Sequence, residues 1–191
     1  MTLSQSQTVI NYLWIAVATV WFAMAFTAKR TVRRQTGGSR ALQSALGALA
    51  VLIGFSNRFR IGHLSQPFVP DTQATGYVGL VLTLGGIAFA IWARLYLGDN
   101  WSARVTLKED HLLITGGPYA IVRHPIYTGL LLAVLGTVVA HREVRGLVGF
   151  GLIILMLRLK TQVEESFMME RFGDEYGAYR GRVKALVPFV L

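Results

Sequence analysis

The feature that most constrains this chain is a block of twenty residues without charge, residues 9–28. An α-helix needs about this length to cross the hydrocarbon core of a bilayer. Hydrophobic residues make up 53% of the 191 residues, charged residues make up 15%, and mean hydropathy is +0.47. Such a composition is too apolar for a soluble domain of this length. We therefore expect a membrane protein in which this block is a retained first span and not a cleaved signal.

Four further apolar blocks follow, separated by short charged loops. The predicted second to fifth spans are residues 41–55, 77–97, 126–140 and 146–157. No linker, low-complexity segment or internal repeat divides the chain, so a single membrane domain over residues 1–191 is expected. The sequence predicts an all-α, polytopic fold with about five transmembrane helices.

Basic residues sort these loops by side of the membrane. Loops one and three and the C-terminal segment carry fourteen Lys and Arg residues, against four in loops two and four. The positive-inside rule then predicts an outward N-terminus and a cytoplasmic C-terminus. Attraction to anionic lipid accounts for the net charge of +9, so nucleic acid is not an expected partner. The absence of cysteine excludes thiolate chemistry, and the four histidines lack metal-ligand spacing, so no metal is expected.

Polar side chains are concentrated at the entrance to the fourth span, in the run TGGPYAIVRHPIYTG at residues 115–129. Two adjacent carboxylates, Glu164 and Glu165, follow beyond the next apolar block. The fourth span rises by roughly 22 Å and the descending helix covers roughly 30 Å as far as Glu165, at 1.5 Å per residue. A five-residue turn makes the two spans an antiparallel hairpin. The hairpin is therefore predicted to return the glutamates to the level of Tyr119–His124, at the cytoplasmic face.

The glutamates have a plainer interpretation as the wet face of a cytosolic amphipathic helix, with Lys160 and Glu164 as an i,i+4 pair. Against this, the C-terminal segment is rich in aromatic residues, which predicts a helical segment that folds back and covers the site. Adjacent helix positions diverge by about 100°, so only one glutamate is expected to face inward, and Glu165 is favoured. Five glycines are interpreted as helix-packing positions: Gly129, Gly136, Gly146, Gly149 and Gly151.

The stretches LGDNWSARVTLKEDHLLITGGPYAIVRHPIYTG and VEESFMMERFGDEYGAYRGRVKALVPF resemble the isoprenylcysteine carboxyl methyltransferase family and its prokaryotic relatives. The resemblance covers residues 97–189. It implies a methyltransferase that uses S-adenosylmethionine, with residues 76–191 as the catalytic, cofactor-binding region and residues 1–75 as a two-span N-terminal region. It also implies location in the cytoplasmic membrane of a prokaryote, with the active site on the cytoplasmic side.

The resemblance assigns the site by position. It implies that Arg123 and Glu165 are catalytic, with Arg123 a clamp for an acceptor carboxylate. The implied cofactor-binding residues are His111, Leu112, Leu113, Gly117, Pro118, Tyr119, His124, Pro125, Tyr127, Glu164, Glu165, Tyr176 and Tyr179. The donor is an activated sulfonium, so methyl transfer needs in-line positioning more than acid–base chemistry. A carboxylate is already a nucleophile at pH 7, with a pKa near ~3.5.

Several functions remain open at this stage. The favoured acceptor is the carboxylate of a lipophilic, isoprenylcysteine-like or lipidated molecule that enters from the bilayer. N-methylation of a phospholipid or a small amine would use a glutamate as base. A sterol-type membrane reductase using NADPH could place the 2′-phosphate on Arg180, Arg182 and Lys184. A non-enzymatic membrane scaffold is the fourth possibility.

Overall fold

The computed structural model describes residues 1–25, 31–34, 37–56, 62–98, 106–108 and 113–188. Within these ranges the helices are α1 (Leu3–Ala25), α2 (Gly37–Phe55), α3 (Gln73–Leu97), α4 (Pro125–His141) and α5 (Val144–Arg182). The all-helical membrane architecture is confirmed. One small addition was not predicted, an antiparallel ribbon of two short strands, β1 (Thr31–Arg34) and β2 (Thr106–Lys108). Short 3₁₀ turns lie at Gly62–Ser65 and Gly117–Ala120.

The helices begin and end at residues whose local chemistry suits those positions. Thr72 caps α3 by accepting a hydrogen bond from the Thr75 N–H, and Gly98, with φ of 56°, ends that helix. Pro125 begins α4, where its missing N–H costs nothing. The largest departure from the predicted spans is α5, which continues past residue 157 to Arg182, with a kink at Gly173. Its polar second half extends the helix beyond the apolar block from which the span was predicted.

Three helices of the described chain are long and apolar enough to cross a bilayer: α2, α3 and α5. The shorter α4 is also apolar, and α1 has 23 residues. Large apolar side chains point away from the protein on several of these helices, among them Phe22 at 70% exposure, Tyr12 at 67% and Val81 at 66%. Contiguous apolar exposure of this kind is what a lipid-facing surface presents. The number of spans stays a prediction.

Helices α3 and α4 form the most extensive contact of the fold, and glycines allow it. A Cβ added to Gly129 would lie 2.6 Å from the Gly86 carbonyl oxygen, and one added to Gly79 would lie 2.7 Å from the Gly136 carbonyl oxygen. The two backbones therefore approach more closely than any other residue type permits. Helix α1 packs on the same pair, and its Trp14 donates a 2.9 Å hydrogen bond to the Thr137 hydroxyl.

Helix α2 packs against α5, where Gly54 and Gly149 face each other; a Cβ on Gly149 would lie 2.8 Å from the Gly54 Cα. Gly146 packs on the Val138 side chain. The interpretation of Gly151 as a packing glycine is wrong, because a Cβ there would meet no atom within 4 Å. Its added side chain would project into open space beside α5.

The hairpin of α4 and α5 turns at Arg142 and Glu143, a tighter connection than the five residues expected from the sequence. Arg142 adopts a left-handed conformation, with φ of 63°, and its N–H bonds to the Val138 carbonyl. Gln66, which lies between α2 and α3, stabilises this end of the hairpin, since its carbonyl accepts a 3.1 Å hydrogen bond from the Val144 N–H. This end of the hairpin is fixed, and the opposite end carries the polar run.

Candidate active site

The polar run begins with a glycine turn that packs on an aromatic ring. Gly117 has φ of 57°, a conformation that favours glycine, and a Cβ on it would lie 2.6 Å from Cε2 of Tyr96. The next residues, Pro118 and Tyr119, are buried in the 3₁₀ turn. Tyr119 joins Ile126 in an apolar cluster with the end of α3. The turn therefore fixes the approach of the chain to Arg123 and α4.

Glu165 of α5 forms a two-pronged ion pair with Arg123. Nη2 and Nε of Arg123 lie 2.6 and 2.9 Å from Oε1 of Glu165, and the side chains are 9% and 12% exposed. The other carboxylate oxygen of Glu165 lies 3.4 Å from Nε of Arg180. The long helix α5 thus returns its glutamate to the start of α4, as the hairpin geometry predicted.

His124 lies between the two glutamates. Its Nδ1 is 3.3 Å from Oε2 of Glu164, and its Nε2 is 3.2 Å from Oε1 of Glu165. Burial disfavours the charged imidazolium, but hydrogen bonds to Glu164 and then to Glu165 outweigh it and raise the pKa of His124 above its ordinary value. A protonated His124 donates to both carboxylates.

The expectation that only one glutamate faces the site is therefore wrong. The 100° between adjacent helix positions does separate the two carboxylates, but His124 sits in the angle between them and contacts one with each ring nitrogen. Glu164 and Glu165 therefore contact different nitrogens of the same imidazole ring.

Tyrosines enclose this cluster. The Tyr127 ring is stacked with the His124 ring, at 5.7 Å between centroids and 8° between planes, and its hydroxyl donates a short hydrogen bond to Glu164. Nζ of Lys160 lies 5.1 Å from the centre of the Tyr127 ring. Burial, and then the nearby charge of Glu164, raise the pKa of the Tyr119 hydroxyl, which stays protonated at neutral pH.

The chain after α5 crosses the start of α4. We call residues 183–186 the strap. Backbone N–H groups of Arg123 and His124 donate to the carbonyls of Lys184 and Ala185, at 2.8 and 3.0 Å. Nη1 of Arg123 donates to the carbonyls of Arg180, at 3.2 Å, and of Val183. The predicted folding back of the C-terminal segment therefore reaches the polar run itself.

Tyr176 and Tyr179 lie on the last turns of α5, beyond the kink. Both are buried, their rings meet edge to face at 5.9 Å, and the Tyr179 hydroxyl donates to the Tyr119 carbonyl at 2.6 Å. Tyr176 lies within electrostatic reach of Arg123 and Glu165. Tyr176 thus borders the ionic cluster, and Tyr179 ties the helix to the 3₁₀ turn.

Most of the predicted site residues are brought together. Arg123, His124, Tyr127 and both glutamates form one hydrogen-bonded cluster, and the remaining described positions surround it: Pro118, Tyr119, Pro125, Tyr176 and Tyr179. Gly117 packs on Tyr96, and Leu113 lies half-buried ahead of the turn. His111 and Leu112 lie outside the described residues.

The sequence reasoning missed two contributors to the cluster. Arg180 was considered only as a phosphate ligand, although its place on the aromatic C-terminal segment was a usable signal for contact with a glutamate. The strap acts through its carbonyls, so no side-chain pattern could identify it. The guanidinium of Arg123, expected as an acceptor clamp, has all three nitrogens bonded to Glu165 and backbone carbonyls.

The cluster fits a cationic, hydroxyl-rich cofactor such as S-adenosylmethionine. Glu164 is a partly buried carboxylate whose hydrogen-bond partners are the Tyr127 hydroxyl and His124, so its oxygens retain acceptor capacity for an ammonium or a ribose diol. The ring of Tyr127 lies beside positive charge, since it stacks with His124 and contacts Nζ of Lys160. The donor set is thus suited to the chemistry of that group.

A family model described as phospholipid methyltransferase matches residues 74–175, more than half of the chain. A probable protein-S-isoprenylcysteine O-methyltransferase of Oryza sativa subsp. indica is 33% identical over 135 residues, covering 67% of this chain and 71% of the relative. The chain belongs to the isoprenylcysteine carboxyl methyltransferase family. It is therefore an integral-membrane methyltransferase, which decides against the reductase and scaffold alternatives. The family implies S-adenosylmethionine as methyl donor.

Two further similarities are consistent with this family membership. The protein-S-isoprenylcysteine O-methyltransferase of Schizosaccharomyces pombe is 34% identical over 125 residues, which cover 64% of this chain and 51% of the yeast protein. The solved structure of a eukaryotic intramembrane Ras methyltransferase, an isoprenylcysteine carboxyl methyltransferase, matches with a TM-score of 0.62 and 20% identity. That match covers 97% of this chain and 68% of the other, and it supports the fold. The chain spans about half the length of the yeast relative.

Proposed function

We propose that this methyltransferase uses S-adenosylmethionine to methylate the carboxylate of a lipophilic, isoprenylcysteine-like acceptor. The observation that carries the proposal is the partly buried cluster of Arg123, His124, Glu164 and Glu165, assembled at the end of an apolar helical hairpin. A polar site at the end of lipid-exposed helices suits an acceptor with a long apolar tail and an ionised head. The names of the curated relatives support the same acceptor class.

Glu164 is the residue that we assign to the cofactor. It is the glutamate that pairs with His124 and Tyr127, whereas Glu165 pairs with the two arginines Arg123 and Arg180. Accepting hydrogen bonds from a ribose diol or an ammonium would complete the coordination of Glu164. The bound cofactor supplies a methyl group already activated on a positively charged sulfur.

Glu165 and Arg123 have a positioning task in this proposal. Their ion pair holds α5 against the start of α4 and sets the place of His124. Because a carboxylate acceptor is ionised at pH 7, no residue has to remove a proton from it, and orientation is the main demand. Arg123 stays a predicted acceptor clamp, with one of its present partners exchanged for the acceptor carboxylate. The cytoplasmic position of the site is likewise part of the proposal.

A second candidate is N-methylation of a phospholipid amine, which the description of the matching family model favours. This reaction needs a base, because an ammonium must lose its proton before it attacks. Glu164, the carboxylate beside His124 and Tyr127, could take that proton. The two candidates therefore differ in whether a base is required and in the bond formed.

Transfer of a labelled methyl group to defined acceptors tests the proposal. Purified protein in lipid nanodiscs is incubated with labelled S-adenosylmethionine and with N-acetyl-S-farnesylcysteine, phosphatidylethanolamine or a small lipophilic thiol. We expect label on the farnesylcysteine in a form that mild base releases as methanol, as a methyl ester does. An N-methylated product resists base. Base-stable label on the phospholipid alone would establish the second candidate, and no transfer to any acceptor would contradict the proposal.

Variants on one helix provide the controls for this assay. Glu164→Gln keeps the shape of the side chain and removes its charge, so it should raise the KM for S-adenosylmethionine. Glu175→Gln makes the same change at an exposed position of the same helix and should leave transfer unchanged. Equal effects of the two variants would remove Glu164 from the cofactor site.

A further inference from the structure

The strap and Thr128 form a structural unit that the reaction chemistry does not use directly. The strap carries no charged group into the cluster, yet its carbonyls receive hydrogen bonds from the two residues at the centre of the site, Arg123 and His124. Thr128, one turn into α4, contacts Leu186, the last residue of the strap. Its hydroxyl donates to the Leu186 carbonyl at 2.6 Å.

The strap binds the two residues that directly precede the first helical residue of α4. His124 occupies the capping position of α4, and its side chain is engaged with the glutamates. The backbone N–H groups of Arg123 and His124 need hydrogen-bond partners near the membrane, and the strap carbonyls at 2.8 and 3.0 Å provide them. The strap also accepts from Nη1 of Arg123 through Val183. Both the backbone and the side chain of Arg123 are therefore held by this one segment.

Thr128 is the side chain of α4 that fastens the strap. Its hydroxyl also lies 3.2 Å from the His124 carbonyl, the ordinary contact of a helical threonine with the preceding turn. The single hydroxyl proton serves one acceptor at a time, and the distance to Leu186 is the shorter by 0.6 Å. Leu186 is itself buried at 9% exposure, which secures the end of the strap.

We propose that Thr128 is a positioning residue: its hydroxyl anchors the strap, and the strap fixes Arg123 and His124 in the geometry that binds the cofactor. The inference rests on the proposed function, because the cofactor site it orders is the one proposed above. Thermodynamic reciprocity gives it a second consequence. If release of the strap weakens cofactor binding by some factor, bound cofactor must suppress release of the strap by the same factor.

The sequence provides a direct reporter of strap release. Lys184 is exposed, and its carbonyl accepts from the Arg123 N–H, so trypsin can cut after Lys184 only when the strap leaves α4. The cut frees residues 185–191, whose appearance mass spectrometry follows. Affinity for S-adenosylhomocysteine, the demethylated product of the donor, is measured by calorimetry on the same full-length protein.

Thr128→Val removes the hydroxyl and keeps the branched shape. We expect it to speed the cut after Lys184 and to weaken affinity for S-adenosylhomocysteine, with the two factors multiplying to roughly fivefold to tenfold, the effect of one lost hydrogen bond on a single release equilibrium. Thr128→Ser should restore both values to within about twofold of the wild type, because it keeps the donor. The matched control is Thr19→Val, where the lost hydroxyl bonds the Ile15 carbonyl within an exposed turn of α1. It should change neither value.

The outcomes separate the inference from the function on which it rests. Wild-type protein that fails to bind S-adenosylhomocysteine below millimolar concentration would overturn the proposed function. Wild-type protein that binds, together with a Thr128→Val variant whose cutting rate and affinity both equal those of the wild type, would overturn the inference. If that variant does not fold, the wild type decides, because saturating S-adenosylhomocysteine must slow the cut after Lys184 at least fivefold. An unchanged cutting rate would contradict the positioning role.

Discussion

Replacing Glu165 by glutamine tests the ion pair that joins the two helices of the site. The change keeps the side-chain volume and leaves Arg123, at 9% exposure, without its charged partner. Removing one member of a buried pair costs about 3–5 kcal/mol, since the remaining charge stays buried and uncompensated. Arg123 keeps its two bonds to backbone carbonyls, which places the expected loss near the lower end, about 3 kcal/mol.

A loss of this size is measurable as a change in melting temperature. For a chain of 150–250 residues, 1 kcal/mol corresponds to a shift of about 2–4 °C, so the Glu165→Gln variant should melt about 6–12 °C below the wild type. Thermal unfolding in detergent, followed by tryptophan fluorescence, gives the value. Glu175→Gln on the exposed face of the same helix should shift the midpoint by less than 2 °C.

A double variant separates the ion pair from other effects of the substitution. Arg123→Met together with Glu165→Gln leaves no unpaired charge at this contact, so its melting temperature should fall by clearly less than the sum of the two single changes. Additive losses, or a Glu165→Gln midpoint that matches the Glu175→Gln control, would refute the view that this pair holds α5 to the start of α4.

Two further predictions concern the protonation of His124 and the packing of α4. Because its glutamate partners raise the pKa of His124, the stability it contributes is complete below the ordinary pKa of histidine and is lost as pH rises through the raised value. The melting temperature should therefore fall as pH rises above 6.5, and a His124→Gln variant should show a flatter profile; an equally steep profile would contradict the pairing. Gly129→Ala should destabilise the protein by about 1–3 kcal/mol because its new methyl group meets the α3 backbone, whereas Gly151→Ala meets nothing within 4 Å and should stay within about 0.5 kcal/mol. Equal melting temperatures for these two alanine variants would show that the close approach is not required.

The hairpin and its polar end could be predicted because they depend on quantities that a sequence displays. Apolar block length, loop length and the rise of a helix place Glu164 and Glu165 opposite the polar run, whatever the details of packing. The quoted motifs then identified the family that the comparisons confirm. These are properties of whole segments, so small errors in the predicted helix boundaries do not change the predicted position of the glutamates.

The parts that could not be predicted depend on side-chain direction and on backbone groups. From the geometry of α5 alone, only one of the two adjacent glutamates would be expected to face the site. Both belong to it because the His124 ring lies between Glu164 and Glu165 and contacts each of them. The strap binds through carbonyls that every residue possesses, so its role leaves no trace in residue types. Gly151 shows the converse case, since a glycine in an apolar helix suggests packing that the neighbouring helices do not provide.

The central claim is that the returning helix α5 and the start of α4 together form the cofactor site. Calorimetric titration of detergent-purified protein with S-adenosylmethionine, S-adenosylhomocysteine and NADPH tests it most directly, with Glu164→Gln and Glu175→Gln measured in parallel. We expect saturable binding of S-adenosylmethionine and S-adenosylhomocysteine below millimolar concentration, weakened at least tenfold by Glu164→Gln and unchanged by Glu175→Gln. No binding of either methyl-donor ligand below that concentration, or equal affinity in all three proteins, would contradict the claim.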